Sequence, residues 1–328
     1  MEKNMRLHTF SLVVLILVLA LLPVSARADS IVLGTADPYA VLAKTDITNP
    51  TTFAATVITG DMGISPATSA ACTGFVLATG CTGTAGPGVV ASGYATNFGN
   101  APAAKAVLDA QTAYNDLAAT PTTTPSTTFD ITGQCLGSAV GCLNDLGPGV
   151  YNSTTLVIID GALTLHGDGS ANDLWIFKTA ADVGLTTDSG SSVLVDNTGA
   201  LAGVYFEVGT KATLGDVSTI EGNILAGTAV IFDPGAQVTC GRAFAQSEVT
   251  FAGNKPAAGD GTPNLVDNSG CSAISSTGFN GGTIVSGTVV PSSLVVAPEP
   301  GTFALLSSGL LAMVFLAFRK SRGSSLTR

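Results

Sequence analysis

Through most of the chain, apolar and polar positions alternate for only a few residues before Gly, Asp, Asn or Pro interrupts them, as in Ala212-Thr213-Leu214, Val230-Ile231-Phe232 and Val249-Thr250-Phe251. A period of two broken so soon predicts short strands with tight turns. Gly203, Gly222 and Gly241 stand 19 residues apart and open three similar segments, GVYFEVGTKATLGDVSTIE, GNILAGTAVIFDPGAQVTC and GRAFAQSEVTFAGNKPAAG. DLWIFKTAADVGLTT and VIIDGALTLHG are looser copies upstream. A repeat of that length, cut into three strands and three corners, predicts one coil of a β-solenoid. Lone coils cannot bury their inner face, so neighbours must stack, and the expected core ladder is Phe177, Phe206, Leu225 and Phe244. Lys178 and Glu207, next in the chain, are expected to point outward.

One segment departs from the β pattern. Residues 101–119, APAAKAVLDAQTAYNDLAA, are rich in strong helix formers, with Pro102 suited to a first turn. Ala103, Val107, Ala110, Tyr114 and Leu117 form an apolar stripe at helical spacing. A single amphipathic helix in a β protein is expected to lie against the side of the solenoid.

The two ends have a different composition. Residues 1–28 carry Lys3 and Arg6, an apolar run from Phe10 to Leu22, and Ala26-Arg27-Ala28, the pattern of a secretory signal peptide. At the other end Pro298-Glu299-Pro300 precedes an apolar stretch at 303–318 that Arg319, Lys320 and Arg322 close. This stretch reads as a short transmembrane segment with its basic tail on the cytoplasmic side. The order of triplet, span and basic tail resembles the PEP-CTERM sorting signal of Gram-negative bacteria. That resemblance implies an exosortase-type enzyme as partner, a temporary membrane anchor, and delivery to the cell surface or an exopolysaccharide matrix; a permanent single-pass anchor is the alternative. The domain reading is therefore a signal peptide at 1–28, a solenoid at 29–254, a Gly/Ser/Thr-rich cap and stalk at 255–297, and the sorting signal at 298–328.

Composition narrows the function. The 328 residues are 46% hydrophobic and 11% charged, too apolar for a disordered polyelectrolyte. Residues 29–300 carry six cations against 22 acids, a formal charge of −16 with no basic patch for phosphates, so no nucleic-acid partner is expected. All six cysteines, Cys72, Cys81, Cys135, Cys142, Cys240 and Cys271, lie in the exported part, where an even count favours disulfides. Proximity suggests Cys72–Cys81, Cys135–Cys142 and Cys240–Cys271, although six cysteines allow fifteen pairings. With no Cys-x-x-Cys and only His166 left after signal removal, no metal or other cofactor is expected. Asp160, Asp168, Asp173 and Asp182 neighbour Gly, Ser and Asn as turn residues do, and His166 has no nucleophile nearby in the chain, so no enzyme activity is expected.

LGTADPYAVLAKTDITN, ITGDMGISP, AKAVLDAQTAYNDLA, LGPGVYNSTT, DLWIFKTA and EGNILAGTAVIF with GRAFAQSEVTF, in that order over roughly residues 31–254, closely resemble the ice-binding protein family. The resemblance implies a mainly β fold: a right-handed, three-sided β-solenoid with one long helix alongside and a capping insertion near the N-terminus. It also implies adsorption to ice crystals and inhibition of recrystallisation. A non-catalytic adhesin that binds exopolysaccharide on the same scaffold is the alternative. Six cysteines and the sorting tail set this chain apart from the family pattern.

Stacked coils repeat outward side chains about 4.8 Å apart between coils. A Thr hydroxyl on such a grid bonds water while its methyl confines it. Placing Leu163/Leu165, Val183/Leu185, Ala212/Leu214, Val230/Phe232 and Val249/Phe251 inward gives the outward column Thr164, Gly184, Thr213, Ile231 and Thr250, with Thr186 beside it. The expected ice-facing residues are Thr164, Thr186, Thr213, Ile231 and Thr250; the alternative for each Thr is a good strand residue on a solvated face.

Overall fold

The period-two runs fold into short strands that stack in parallel on three sides of a coil. A computed structural model describes residues 29–30, 33–52, 56–119, 128–169, 173–199, 202–253, 261–269, 283–285 and 288–290. The expected signal peptide, the 303–318 span, Pro298, Glu299, Pro300 and Cys271 lie outside these residues. Among the described residues no helix is long and apolar enough to cross a membrane.

One coil shows the plan. Gly203–Val208 lies on a first side, face A, and Ala212–Leu214 on a second, face B. Thr219–Ala226 starts on the third, face C, pairing Ser192–Asp196, and then bends so that its last residues pair Gly203–Val208 on face A. Each inner side chain therefore sits above its counterpart in the next coil, and the ring stack Phe129–Tyr151–Phe177–Phe206 has centroid spacings of 4.9, 5.1 and 4.8 Å. These equal the distance between hydrogen-bonded strands, so backbone pairing and core packing are satisfied by one translation.

The coils do not stack in chain order. Tyr39–Ala43, Asp46–Thr48 and Thr56–Thr59 pair with Gln237–Ala245, Glu248–Phe251 and Asn264–Asp267, so a coil near the start of the chain seats on the last one. Asn264–Asp267, in the segment read as cap and stalk, thus supplies the third side of the coil that begins at Arg242, stacked on Gln237–Thr239 of the coil before. A further coil through Asp61–Ile64, Cys72–Thr73 and Val89–Val90 follows, and Thr96–Phe98 closes this end. From there helix α1 (Ala101–Ala119) runs back along face A to the far end, where Thr128–Asp130 begins the opposite edge coil. Its 19 residues span about 28 Å, which matches the roughly 29 Å of six strand steps from Thr96–Phe98 to Leu174–Thr179.

Asn100 starts α1 by accepting the Ala103 N–H at 3.0 Å. Ala103, Ala106, Ala110, Ala113 and Leu117 are buried, and the small Ala side chains let the helix lie close to Leu42, Ile176, Leu225 and Phe244. That contact corrects the expected ladder. Phe206 stacks on Ile224, then Ala243, inside the coil, whereas Leu225 and Phe244 face the helix. The repeat of 19 is not uniform: Glu221 pairs Thr239, 18 residues on, but Asn223 pairs Arg242, 19 on. The extra residue is Cys240, held at φ 54° in the corner between faces C and A.

Lys178 and Glu207 do point out of the coil but are buried under α1, where the Lys178 ammonium donates to the Ala118 carbonyl at 2.8 Å and Glu207 bonds Tyr114. Burial raises the Glu207 pKa above the ordinary carboxylate range, against the opposing pull of Tyr114 and Lys178. A raised folded-state value contributes stability at low pH that is lost as pH climbs through it. Glu207→Gln is therefore expected to gain in melting temperature relative to the parent as pH rises from 4 to 7; an unchanged difference across a pH series would count against this account.

The same corner imposes a close backbone approach. A Cβ on Gly241 would lie 1.7 Å from the Gly222 carbonyl oxygen of the coil beneath. Gly241→Ala must push apart a pair of hydrogen-bonded coils, and a loss of about 3 kcal/mol is expected in a urea titration. Cys72–Cys81 and Cys135–Cys142 pair as proximity suggests, one at each end of the stack. Cys240 is also disulfide-bonded. A small antiparallel ribbon joins Asp29–Ser30 to Thr283–Val285 and Thr288–Val290.

Candidate functional site

Face A is covered by α1, which leaves faces B and C to meet solvent. On face B, Val157–Ile159, Leu185–Thr187, Ala212–Leu214, Ala229–Phe232, Glu248–Phe251, Asp46–Thr48 and Cys72–Thr73 form one parallel ladder. Their register aligns Ile158, Thr186, Thr213, Ile231, Thr250, Thr48 and Thr73 in a single file. Each is half-exposed between buried neighbours, as Thr213 is between Ala212 and Leu214. Alternation thus sends one side chain per coil outward, at the strand spacing of about 4.8 Å. Five are Thr and two are Ile, so the file offers hydroxyls and methyls and no charge. Thr48 donates to the Thr250 hydroxyl at 3.3 Å, across the seam where the early coil meets the late one.

Charge is confined to the margins. Asp46, Lys211 and Glu248 lie two residues before the file, beside Gly184 and the buried Ala229. Asp160, Asp188 and Asp233 lie two residues after it, at the corner toward face C. Face C is different in kind. Its outward row runs through Thr164, Leu194, Glu221, Thr239, Asp267 and Thr59. The Glu221 carboxylate accepts the Val195 N–H at 2.7 Å, with burial raising its pKa, and His166 pairs Asp196 at 2.7 Å in the open. Carboxylates and imidazole hold water in their own hydration geometry, so a water layer templated by the protein meets less competition on face B.

The structure brings together four of the five residues expected from sequence: Thr186, Thr213, Ile231 and Thr250. Thr164 is not among them. It lies on face C opposite Leu194, because the face B strand of that coil is Val157–Ile159. Three consecutive apolar residues hide the alternation there, so Ile158 is invisible to a pattern search. The expected outward position Gly184 is likewise replaced by Thr186, with Leu185 and Thr187 buried on either side. Thr48 and Thr73 are out of reach for another reason: Ile47-Thr48 and Cys72-Thr73 have the right inward-outward order, but nothing local says that they extend a ladder in which Thr48 pairs with Thr250, 202 residues away.

No group of three or more His, Cys, Asp or Glu side chains suited to a metal occurs among the described residues. Trp175 is buried and donates its indole N–H to the Leu146 carbonyl at 2.9 Å. It is therefore closed to stacking against a sugar ring.

Comparison with known proteins agrees with this architecture. The ice-binding-like family model matches residues 41–256, and the PEP-CTERM protein-sorting motif matches residues 296–322. An ice-binding protein of Nostoc sp. (strain HG1) is 33% identical over 314 residues, 95% of each chain. One from Leucosporidium sp. (strain AY30) is 32% identical over 69% of this chain and 82% of its own. The crystal structure of an ice-binding protein from the Antarctic ascomycete Antarctomyces psychrotrophicus superposes with a TM-score of 0.57 at 31% identity, covering 72% of this chain and 96% of that one.

Proposed function

This chain belongs to the ice-binding-like family, and we propose that it adsorbs to ice through face B and so inhibits recrystallisation. The observation that carries the reading is the uncharged file Ile158, Thr186, Thr213, Ile231, Thr250, Thr48 and Thr73 aligned in register on one parallel ladder. A parallel ladder in register repeats its hydroxyls and methyls at the strand spacing, and a repeating row of this kind holds a layer of water in register with a crystal plane. Many such weak contacts act together without any catalytic group, so the activity is non-enzymatic and needs no cofactor.

The sorting motif at 296–322 supports export to the surface of a Gram-negative bacterium. There an exosortase-type enzyme acts near Pro298-Glu299-Pro300, and the 303–318 segment serves as a membrane anchor, transiently or for good. Exopolysaccharide around the cell is then the matrix in which the protein works. The direct test is ice shaping and recrystallisation inhibition by the purified chain, with circular dichroism as the check on folding. Faceted crystals and arrested grain growth at micromolar protein are expected. A folded chain that leaves ice crystals round and coarsening would end the proposal.

A further inference from the structure

The place where the chain leaves its solenoid says how such a protein is held. In a three-sided coil the edge between faces C and A is the one that does not border face B. That edge is built by Gly222, by Cys240-Gly241 and by Gly60, which follow the face C positions Glu221, Thr239 and Thr59. Asp267 pairs Thr59 in the same row, so Asn268 and Ser269 arrive at this same edge, and from there the chain runs on toward the sorting motif.

Two observations fasten the exit. Asn268 is buried, donates its backbone N–H to the Thr59 carbonyl at 3.1 Å, and donates its side-chain amide to the Pro38 carbonyl at 3.1 Å. Further on, Thr283–Val285 pairs antiparallel with Asp29–Ser30, the residues that lead into the segment before Pro38. Asp37, beside it, accepts three hydrogen bonds from the buried Arg242 on the face A side of the same edge. The route to the tail thus leaves the solenoid fastened to the C–A edge at Asn268, and further on it pairs with the N-terminal Asp29–Ser30.

The geometry points to a protein that, held by its C-terminal tail, presents face B away from the point of attachment, so that the cell or matrix to which it is sorted is itself fastened to ice. The function is adhesion to ice by an anchored molecule, beyond slowing crystal growth by a dissolved one. It rests on the assignment of ice binding to face B.

The test couples the full chain to streptavidin beads in two orientations. In one, a biotin acceptor peptide is inserted after Ala297; in the other, Thr213→Cys is biotinylated through its thiol. Beads are then offered to a slowly growing ice front, and the uncoupled chain is assayed in parallel for ice shaping. Tail-coupled beads are expected to be captured by the ice at least about tenfold more often than beads coupled through position 213. If the dissolved chain shapes ice but tail-coupled beads are pushed ahead of the front like the others, the orientation is wrong and the face B assignment stands. If the dissolved chain does not shape ice, the assignment fails and takes this inference with it.

Discussion

Thr213→Tyr and Thr250→Tyr, made one at a time, are expected to abolish ice shaping and to raise the concentration needed to halt recrystallisation at least about tenfold, the effect of roughly 1.4 kcal/mol of lost adsorption energy. Both side chains lie in the file of face B, with buried residues on either side. A phenol ring at either place stands above the plane and holds neighbouring hydroxyls away from a flat crystal surface. Tyrosine is a good strand residue and neither position is in the core, so the melting temperature is expected to move by less than about 1 kcal/mol of equivalent stability. Thr164→Tyr is the control that separates the faces. It puts the same ring on face C, opposite Leu194, and should leave activity intact. Loss of activity in Thr164→Tyr with retention in the other two would move the ice-binding surface to face C.

Arg242→Met is expected to lower stability by about 3–5 kcal/mol without altering the chemistry of face B. The guanidinium is fully buried, and its Nε and Nη2 donate to the Asp37 carbonyl at 2.9 and 2.6 Å. Nη2 also reaches the Asp37 carboxylate at 2.9 Å, and Nη1 the Asn223 side-chain oxygen at 2.9 Å. Asp37 belongs to the early coil and Asn223 to a late one, so one planar fork joins stretches of the chain that are far apart in sequence. Methionine fills much of the volume but leaves the Asp37 carbonyl and the Asn223 oxygen without these donors, each worth about 1–3 kcal/mol when buried. Arg242→Lys keeps the charge but cannot reproduce the fork, and an intermediate loss is expected. The measurement is the thermal midpoint, with a fall of about 10 °C for the methionine variant. A fall of less than about 2 °C would mean that the fork is dispensable and the closure is held by backbone pairing alone. Ice shaping by the methionine variant, assayed below its new midpoint, is expected to match the parent, since Arg242 lies on face A against Asp37 of the N-terminal segment.

Some of this architecture is legible in the chain because it depends on local pattern. Period-two alternation, the turn residues and the near-19 spacing of Gly203, Gly222 and Gly241 are enough for a three-sided coil. Helix propensity locates α1 to the residue, since eight of its 19 residues are Ala and no Gly or β-turn signal interrupts it. Close spacing, with sequence separations of 9 and 7, suggests Cys72–Cys81 and Cys135–Cys142 among the fifteen pairings six cysteines allow.

What the sequence could not determine was register. Coil lengths differ, with Val157, Leu185, Ala212 and Val230 stacked at intervals of 28, 27 and then 18 residues, and the corner at Cys240 inserts one more residue on one side only. A shift of one position turns a side chain from the core to the surface, which is why local pattern puts Leu225 inside the coil. Unequal coil lengths hide which strand lies on which side, which is why it puts Thr164 on the wrong face. By itself the sequence determined which elements form and what each can bury, because strand and helix formation answer to neighbours in the chain. The tertiary structure alone decided that Thr48 and Thr73 complete the row begun by Thr186 and Thr213, because a row across coils exists only once a helix has carried the chain back and the first coil has seated on the last.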